Sequence, residues 1–293
     1  MNRWNGLILT LALGAALAAA GPGTAGAEEV RKVTEKTFPF EPGGEISIDN
    51  QNGRITVEAW DRPQVRIQIT RIARASDRRK AEEYLRQIRA DVEVSPRSIE
   101  MVSRFPKRQG KVGFFEVIAD RVASFQIQYY LQVPLKTSLR LESSNGGIQV
   151  RGTKGPVYAE TTNGNIELNG VSGDIQTEST NGAIEVRNSA GTLSAETTNG
   201  GIYIELTAKD PEGAISAETT NGSVELLLPG SLRADLEAET TNGRVSVEFP
   251  VTSSGAMTSK AVRGTIGGGG PNIELATTNG NIDVRRAGAR SSR

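Results

Sequence analysis

Aliphatic and polar residues alternate on both sides of a recurring Asn-Gly pair, and the pattern occurs eight times along the chain. In the copy Thr162-Asn163-Gly164-Asn165-Ile166-Glu167-Leu168, aliphatic residues stand three and five positions after the asparagine. An aliphatic residue also stands six positions before every asparagine of the set. Such period-two alternation predicts two short, half-buried strands in each copy. The pairs begin at Asn52, Asn145, Asn163, Asn181, Asn199, Asn221, Asn242 and Asn279.

The spacing of these pairs indicates a repeat architecture, since the first three steps after Asn145 are 18 residues each. One arrangement is a series of hairpins, because Asn-Gly between alternating runs favours a type I′ turn. Hairpins would place Glu160 opposite Glu167 and Glu178 opposite Glu185, and like charges in that position are destabilising. The other is a flattened solenoid, in which two-strand coils of about 18 residues stack with matching rows ~4.8 Å apart. We therefore predict an all-β solenoid, with one short helix in an N-terminal insertion.

The domain organisation follows from the ends of the repeat. Residues 1–27 have the features of a signal peptide, with Arg3 before the apolar run Leu7–Ala20 and a small-residue cleavage site at Ala25-Gly26-Ala27. Residues 28–44 are a lead-in, residues 45–284 a single solenoid domain with a capping insertion at about 60–135, and residues 285–293 a basic disordered tail. We expect the mature chain to begin at Glu28, to be exported, and to contain no transmembrane span.

The insertion separates the first copy from the next by 93 residues. Within it, Ser76 is expected to cap a helix near residues 77–90 whose apolar residues fall on one face. Strands are predicted on both sides of this helix, and a cap on the first coil would cover an open strand edge. The predicted strands are Val65–Ile69, Asp91–Val94, Ser98–Ser103, Val112–Ile118 and Phe125–Val133. Near the other end, Ser259–Ile266 is expected to form a degenerate strand pair before a glycine loop at residues 267–270.

Composition excludes several classes of function. The chain contains no Cys and no His, which removes most zinc chemistry, cysteine nucleophiles and histidine-based triads. Net charge is +0 overall, but residues 28–140 carry 21 basic and 16 acidic side chains while residues 141–284 carry 8 and 18. This asymmetry bears on partners and solubility, and no nucleic-acid partner is predicted.

An acidic row is the weak candidate for a metal site. It stands three positions before the asparagines, on the outward parity of the strand, and Ala276 ends it. Oxygen-rich surfaces suit hard cations, so Ca²⁺ is the one cofactor considered; otherwise the row is a solvated stripe. The asparagines are interpreted as a structural turn row with hydrogen bonds along the stack. The candidate acids are Glu142, Glu160, Glu178, Glu196, Glu218 and Glu239, preceded by Asp49.

The run from Val133-Pro134 through Leu139–Ile148, followed by Thr-Thr-Asn-Gly copies, resembles the bacterial putative-adhesin family of exported proteins of unknown function. It is also similar to adhesin head domains of autotransporters. The resemblance covers roughly residues 40–286 and implies no catalytic or cofactor-binding residues.

The main functional hypothesis is a non-catalytic adhesin-like or envelope scaffold protein, in the periplasm or at the cell surface. It would present a repetitive β surface to an envelope or surface component, either a glycan or a protein. The alternative is a polysaccharide-binding or polysaccharide-active β-helix protein that uses the acidic row with calcium. A third hypothesis, a periplasmic sensor of envelope stress, leaves no trace in the sequence.

Overall fold

The computed structural model describes residues 28–105, 123–206, 213–253 and 257–287. In this part of the chain, almost every element is a strand, and the strands form two large sheets that share one apolar core. The sheet with 11 strands is called sheet I, and the sheet with 12 strands is called sheet II. The solenoid prediction is confirmed.

Each Asn-Gly pair joins a strand of sheet II to a strand of sheet I. The sheet II strands that end at the corner asparagines are β2 (Glu45–Asn52), β8 (Ser138–Asn145), β10 (Val157–Asn163), β12 (Ile175–Asn181), β14 (Leu193–Asn199), β16 (Ile215–Asn221), β18 (Ala234–Asn242) and β22 (Asn272–Asn279). The sheet I strands that follow are β3 (Ile55–Trp60), β9 (Ile148–Arg151), β11 (Ile166–Asn169), β13 (Ile184–Ser189), β15 (Ile202–Leu206), β17 (Val224–Leu228), β19 (Val245–Val247) and β23 (Ile282–Arg286). The remaining elements are β1 (Glu28–Pro39), β4 (Gln64–Ala75), α1 (Arg78–Gln87), β5 (Arg89–Val94), β6 (Ser98–Arg104), β7 (Ser124–Pro134), β20 (Val251–Ser253) and β21 (Ala261–Ile266).

Strand pairing along the stack is parallel and in register. Asn163 pairs with Asn181 and Glu160 with Glu178, and the same offsets recur in the neighbouring coils. Strands β10 and β11 lie in different sheets, so the Asn-Gly pair between them is a corner and not the tip of a hairpin. The parallel pairing therefore excludes the hairpin alternative.

The core consists of the inward rows of both sheets. Ile166 and Ile184 are completely buried, and Ile202 is 2% exposed. These three residues occupy equivalent positions in consecutive coils, where β13 pairs with β11 on one side and β15 on the other. Because successive side chains of a strand point to opposite faces, the polar residues between them remain outside.

At the N-terminal end, the insertion does not separate the first coil from the rest. Strand β2 pairs directly with β8, and β3 with β9, as consecutive coils do. Strands β6 and β7 pair in parallel with the outer sides of β2 and β3, in the positions of one further coil. Antiparallel strands then extend both sheets, β5 in sheet II and β4 followed by β1 in sheet I.

The predicted helix is present, but its cap is not the predicted one. Helix α1 begins after Asp77, whose side chain accepts a hydrogen bond from the backbone amide of Lys80 at 2.9 Å. Asp77 occupies the N-cap instead of Ser76, one residue closer to the first free amides of the helix. Strand β1 lies in the predicted lead-in, where the many charged residues obscure a strand pattern.

The coils at the C-terminal end do not stack in chain order. Strand β22 lies between β16 and β18, and β23 lies between β17 and β19. The Asn279 coil is therefore inserted between the Asn221 and Asn242 coils. Sheet II continues beyond β18 with β21 and β20, which pair antiparallel, so residues 259–266 contribute one strand and not a strand pair. The glycine loop is as predicted, with left-handed φ at Gly267, Gly268 and Gly269.

Strand β23 extends to Arg286, so the first two residues of the predicted basic tail belong to the last strand. The predicted signal peptide, the predicted strand Val112–Ile118 and residues 288–293 lie outside the described residues.

Candidate functional site

The corner asparagines form a continuous side-chain ladder from Asn145 to Asn242. From Asn163 onward, each amide nitrogen donates to the Oδ1 atom of the preceding asparagine in the stack at 2.8–3.0 Å, while the Asn145 amide donates to the carbonyl of Gln51. The order of the ladder is spatial, so Asn279 donates to Asn221 and Asn242 donates to Asn279. Asn52 leaves the pattern, and its amide donates to the carbonyl of Phe125.

The glycine after each asparagine is required by the neighbouring coil. A Cβ atom on Gly182 would lie 1.9 Å from the carbonyl oxygen of Gly164, far inside any allowed contact. The Gly182 amide also donates to the carbonyl of Asn199 at 3.0 Å. Close backbone stacking, and not the left-handed φ of a type I′ turn, therefore explains this Asn-Gly pair.

A row of inward hydroxyls satisfies the carbonyls at the same corner. Thr161 donates to the carbonyl of Gly146 at 3.0 Å, and Thr197 and Thr219 make the same bond to Gly182 and Gly200. These side chains are almost fully buried. They are therefore fixed structural donors, which does not suit a role as nucleophiles.

The candidate acidic row lies on the outer surface of sheet II, with one carboxylate per coil. In register, the row runs through Glu142, Glu160, Glu178, Glu196 and Glu218 without interruption. Ala276 follows because its coil is inserted there, and Glu239 comes after it. The four middle glutamates and the threonines beside them line an open groove of about 310 Å³. We call this surface the Glu–Thr face, defined by Glu160, Glu178, Glu196, Glu218, Thr180, Thr198 and Thr220.

Negative charge on the Glu–Thr face is not neutralised by described basic residues. Glu142, at its margin, pairs with Arg140 at 2.6 Å. Glu160 instead accepts a hydrogen bond from the Tyr158 hydroxyl at 2.6 Å, and Glu178 one from Gln176 at 2.8 Å. Bonding to the Glu160 carboxylate, together with burial and the charge of Glu178, raises the pKa of Tyr158 to about 12.

The outer surface of sheet I has the opposite character. Arg187 contacts Glu205 at 3.2 Å, and Arg285 contacts Glu225 at 3.0 Å. Arg151 contacts Glu58 at 3.3 Å in the same way. Sequence reasoning missed this difference, because it depends on which arginine lies beside which acid in the next coil.

The geometry of the acidic row does not form a closed metal site. Within the described residues, no group of three or more acidic side chains is arranged to hold a metal ion. A calcium ion takes about 6–8 converging oxygen ligands, whereas the strand register spreads the carboxylates along a line. Any cation bound there would be shared between coils and largely hydrated.

These features define a β-solenoid with a corner asparagine ladder and one acidic outer surface. The chain belongs to the Toastrack DUF4097 family, whose model matches residues 136–285. The resemblance to putative-adhesin proteins is confirmed. No curated protein matches the sequence.

Three bacterial proteins with solved structures are among those similar to this chain. A putative cell adhesion protein from Clostridium sporogenes is 13% identical, with 87% of this chain and 100% of that chain covered and a TM-score of 0.36. A putative adhesin from Bacteroides fragilis is 12% identical, with coverage of 87% and 97% and a TM-score of 0.42. A putative lipid binding protein from Parabacteroides distasonis is 12% identical, with coverage of 86% and 96% and a TM-score of 0.33.

In the part of the chain that the structure describes, no helix has the length and apolar character needed to cross a membrane.

Proposed function

We propose that the mature chain is an exported, non-catalytic binding or scaffold module that presents the Glu–Thr face to a component of the cell envelope or cell surface. The observation that carries this proposal is the contrast between the two outer surfaces. On sheet I, Glu58, Glu205 and Glu225 contact arginines of neighbouring coils, whereas four consecutive glutamates of the Glu–Thr face have no described basic partner.

Regular spacing makes this surface suited to a repetitive or extended partner. The carboxylates recur at the strand spacing of ~4.8 Å, and hydroxyl groups accompany them. Carboxylates accept hydrogen bonds from the hydroxyls of a glycan or from the cationic side chains of a protein. The asparagine ladder and the buried threonines hold the coils in fixed register, so the surface loses little conformational entropy when a partner binds.

A pull-down with the mature protein, residues 28–293, on envelope fractions and a glycan array tests the proposal. The informative variant replaces Glu160, Glu178, Glu196 and Glu218 with glutamine, which keeps the shape and removes the charge. The matched control replaces Glu167, Glu185, Glu205 and Glu225 of sheet I. We expect the first variant to lose the captured partner and the second to retain it. Equal retention by both variants would contradict the assignment to the Glu–Thr face.

Export itself is tested by fractionation and N-terminal sequencing of the protein from its native host. We expect a mature N-terminus at Glu28 in the periplasm or at the cell surface. An intact N-terminus in the cytoplasm would contradict export.

A polysaccharide-binding protein that uses calcium on the acidic row is the second candidate. It is favoured by the open groove of about 310 Å³ along four glutamates. Titration calorimetry with CaCl₂, then with polygalacturonate in the presence of calcium, distinguishes it from the first. Calcium-dependent binding that the four-glutamine variant abolishes would support this candidate. Release of reducing ends from the polymer would show an enzyme and overturn the non-catalytic proposal.

A further inference from the structure

The two sheets leave a groove between them at the N-terminal end of the solenoid. Its walls come from β1 and β4 of sheet I and from β5 of sheet II, and its volume is about 500 Å³. This lies within the range of about 300–1,000 Å³ that is typical of small-ligand sites. The groove is formed where β1 and β5 end their sheets.

The base of the groove is apolar, because it continues the core of the solenoid. Ile67 and Ile69 of β4 are buried core residues that line it, together with the half-buried Phe38 and Val92. Val94 lies at the mouth with 41% of its surface exposed. The apolar lining is thus elongated along the strands and narrow between the sheets.

Basic side chains accompany this apolar lining. Lys36 pairs directly with Ile67 in the antiparallel register, which places both side chains on the inward face of sheet I. Arg71 and Arg89 also line the groove, and Arg71 donates to the carbonyl of Ile88 at 3.0 Å. Asp91 is the one acidic residue of the lining, and Arg104 pairs with it at 3.2 Å. Among the described residues, no acid forms an ion pair with Lys36, Arg71 or Arg89.

We propose that this groove binds a single-chain anionic amphiphile, such as a fatty acid carboxylate. The alkyl chain would lie against Phe38, Ile67 and Val92, where burial of apolar surface is favourable. The carboxylate would be held between Lys36, Arg71 and Arg89 by charge-assisted hydrogen bonds. This site is at the end of the solenoid and does not depend on the function proposed for the Glu–Thr face.

Titration calorimetry of the mature protein with dodecanoate below its micellar concentration tests the proposal. Dodecyltrimethylammonium and dodecyl maltoside provide the same chain with a positive and an uncharged head group. We expect saturable one-to-one binding of dodecanoate, at least about tenfold tighter than either of the others. Equal binding of all three, or no saturable binding of dodecanoate, would overturn the proposal. If dodecanoate did not bind saturably, the role of Lys36 would be to protect the edge strand β1 from aggregation by its charge.

Two variants locate the site without disturbing the core. Val94→Glu introduces a carboxylate at the mouth of the groove. Its matched control is Val33→Glu, because Val33 lies on the face of β1 that points away from the groove and is 55% exposed. We expect Val94→Glu and the double variant Lys36→Gln/Arg89→Gln to weaken dodecanoate binding at least about tenfold, while Val33→Glu leaves it unchanged. An effect of Val33→Glu as large as that of Val94→Glu would contradict the location.

Further measurements separate other occupants of the groove. Flotation with phosphatidylglycerol vesicles distinguishes a membrane surface from a free amphiphile, and we expect the protein not to float. Light scattering on the wild type and Val94→Glu tests a second copy of the chain. A wild-type dimer that Val94→Glu dissociates, or flotation that requires Lys36 and Arg89, would overturn the assignment to a free amphiphile.

Discussion

Replacement of Gly182 by alanine should destabilise the solenoid strongly, although it adds only one methyl group. The new Cβ would lie 1.9 Å from the carbonyl oxygen of Gly164 and 2.5 Å from its carbonyl carbon. Both atoms belong to backbone that the neighbouring coil fixes, so the coils must separate locally. Overpacking of this kind costs about 1–3 kcal/mol. Separation also weakens two hydrogen bonds between these coils, from the Gly164 amide to the carbonyl of Asn181 and from the Ser179 hydroxyl to the carbonyl of Gly164. Each of them contributes about 1 kcal/mol.

We therefore expect a loss of about 3–5 kcal/mol in the free energy of unfolding. Urea unfolding followed by circular dichroism measures it, with the m value checked for a change in cooperativity. Gly230→Ala is the matched control, because its new Cβ would have no heavy atom within 4 Å and its φ is not left-handed. The control should be neutral or more stable by up to about 1 kcal/mol, since alanine restricts the unfolded chain.

The comparison of the two alanine variants decides the physical argument. If Gly182→Ala were no less stable than Gly230→Ala, the coils would be compliant at the corner. Close backbone contact would then not explain the glycine row, and the turn conformation of Asn-Gly would have to be reconsidered.

Three further predictions concern single side chains of the repeat. Ile184→Ala should lose about 2–5 kcal/mol in urea unfolding, because Ile184 is fully buried between neighbouring coils. A loss under about 1 kcal/mol would contradict its central position. Glu178→Gln should leave the melting temperature unchanged or slightly raised, because it relieves repulsion along the acidic row; a marked loss, above all with calcium present, would instead indicate a metal site. Tyr158→Phe should remove a pH-dependent part of the stability. The pKa of the Tyr158 hydroxyl in the folded chain is raised to about 12, so this stability is complete below about pH 10, the unfolded value, and is lost as the pH rises through 12. Unfolding free energies at pH 8 and pH 11 measure it, and identical pH profiles for the two proteins would contradict the Tyr158–Glu160 bond.

The buried rows could be predicted from sequence because a solenoid repeats one local rule. Period two assigns Ile166 and Ile184 to the inside, and equal spacing from the corner puts them in register. The hydroxyl groups beside the corner share this inward parity, and Thr161 donates to the carbonyl of Gly146.

Repulsion between like charges is present in the solenoid as well as in the hairpin arrangement. Hairpins would place Glu160 opposite Glu167, and the solenoid pairs Glu160 directly with Glu178. Like charges are adjacent in both arrangements, so charge does not distinguish them. The distinguishing evidence is the parallel pairing, because β10 pairs with β12 and β11 with β13 while β10 and β11 lie in different sheets.

The cap could not be predicted in detail because its interactions are specific to one place. Asn50 occupies a position that is serine or threonine in the other coils, and it is fully buried. Its amide donates to the carbonyls of Gly53 and Ile127, and its oxygen accepts from Ser103. Ser103 also bonds to the hydroxyl of Tyr129, and burial raises the pKa of that tyrosine to about 12. These residues lie up to 79 positions apart, and no repeat rule links them.

The order of the last coils was missed for the opposite reason, because their interactions are too uniform. Every coil offers the same aliphatic rows and the same asparagine, so Asn279 fits equally well beside Asn221 and beside Asn242. Stacking energy therefore fixes the register of a coil but not its place in the sequence of coils. The place of the Asn279 coil in the stack is set instead by the segment that connects β18 to β22. Strand β21 runs antiparallel along β18 and ends opposite Ala234, and the loop of left-handed glycines then returns the chain to Asn272, beside Asp235 on the other side of β18. Because of this route, β21 and β20 cover the outer edge of sheet II. If the coils stacked in chain order, β22 would form that edge. An unpaired final strand of a solenoid requires such protection, because its free backbone groups can pair with another chain.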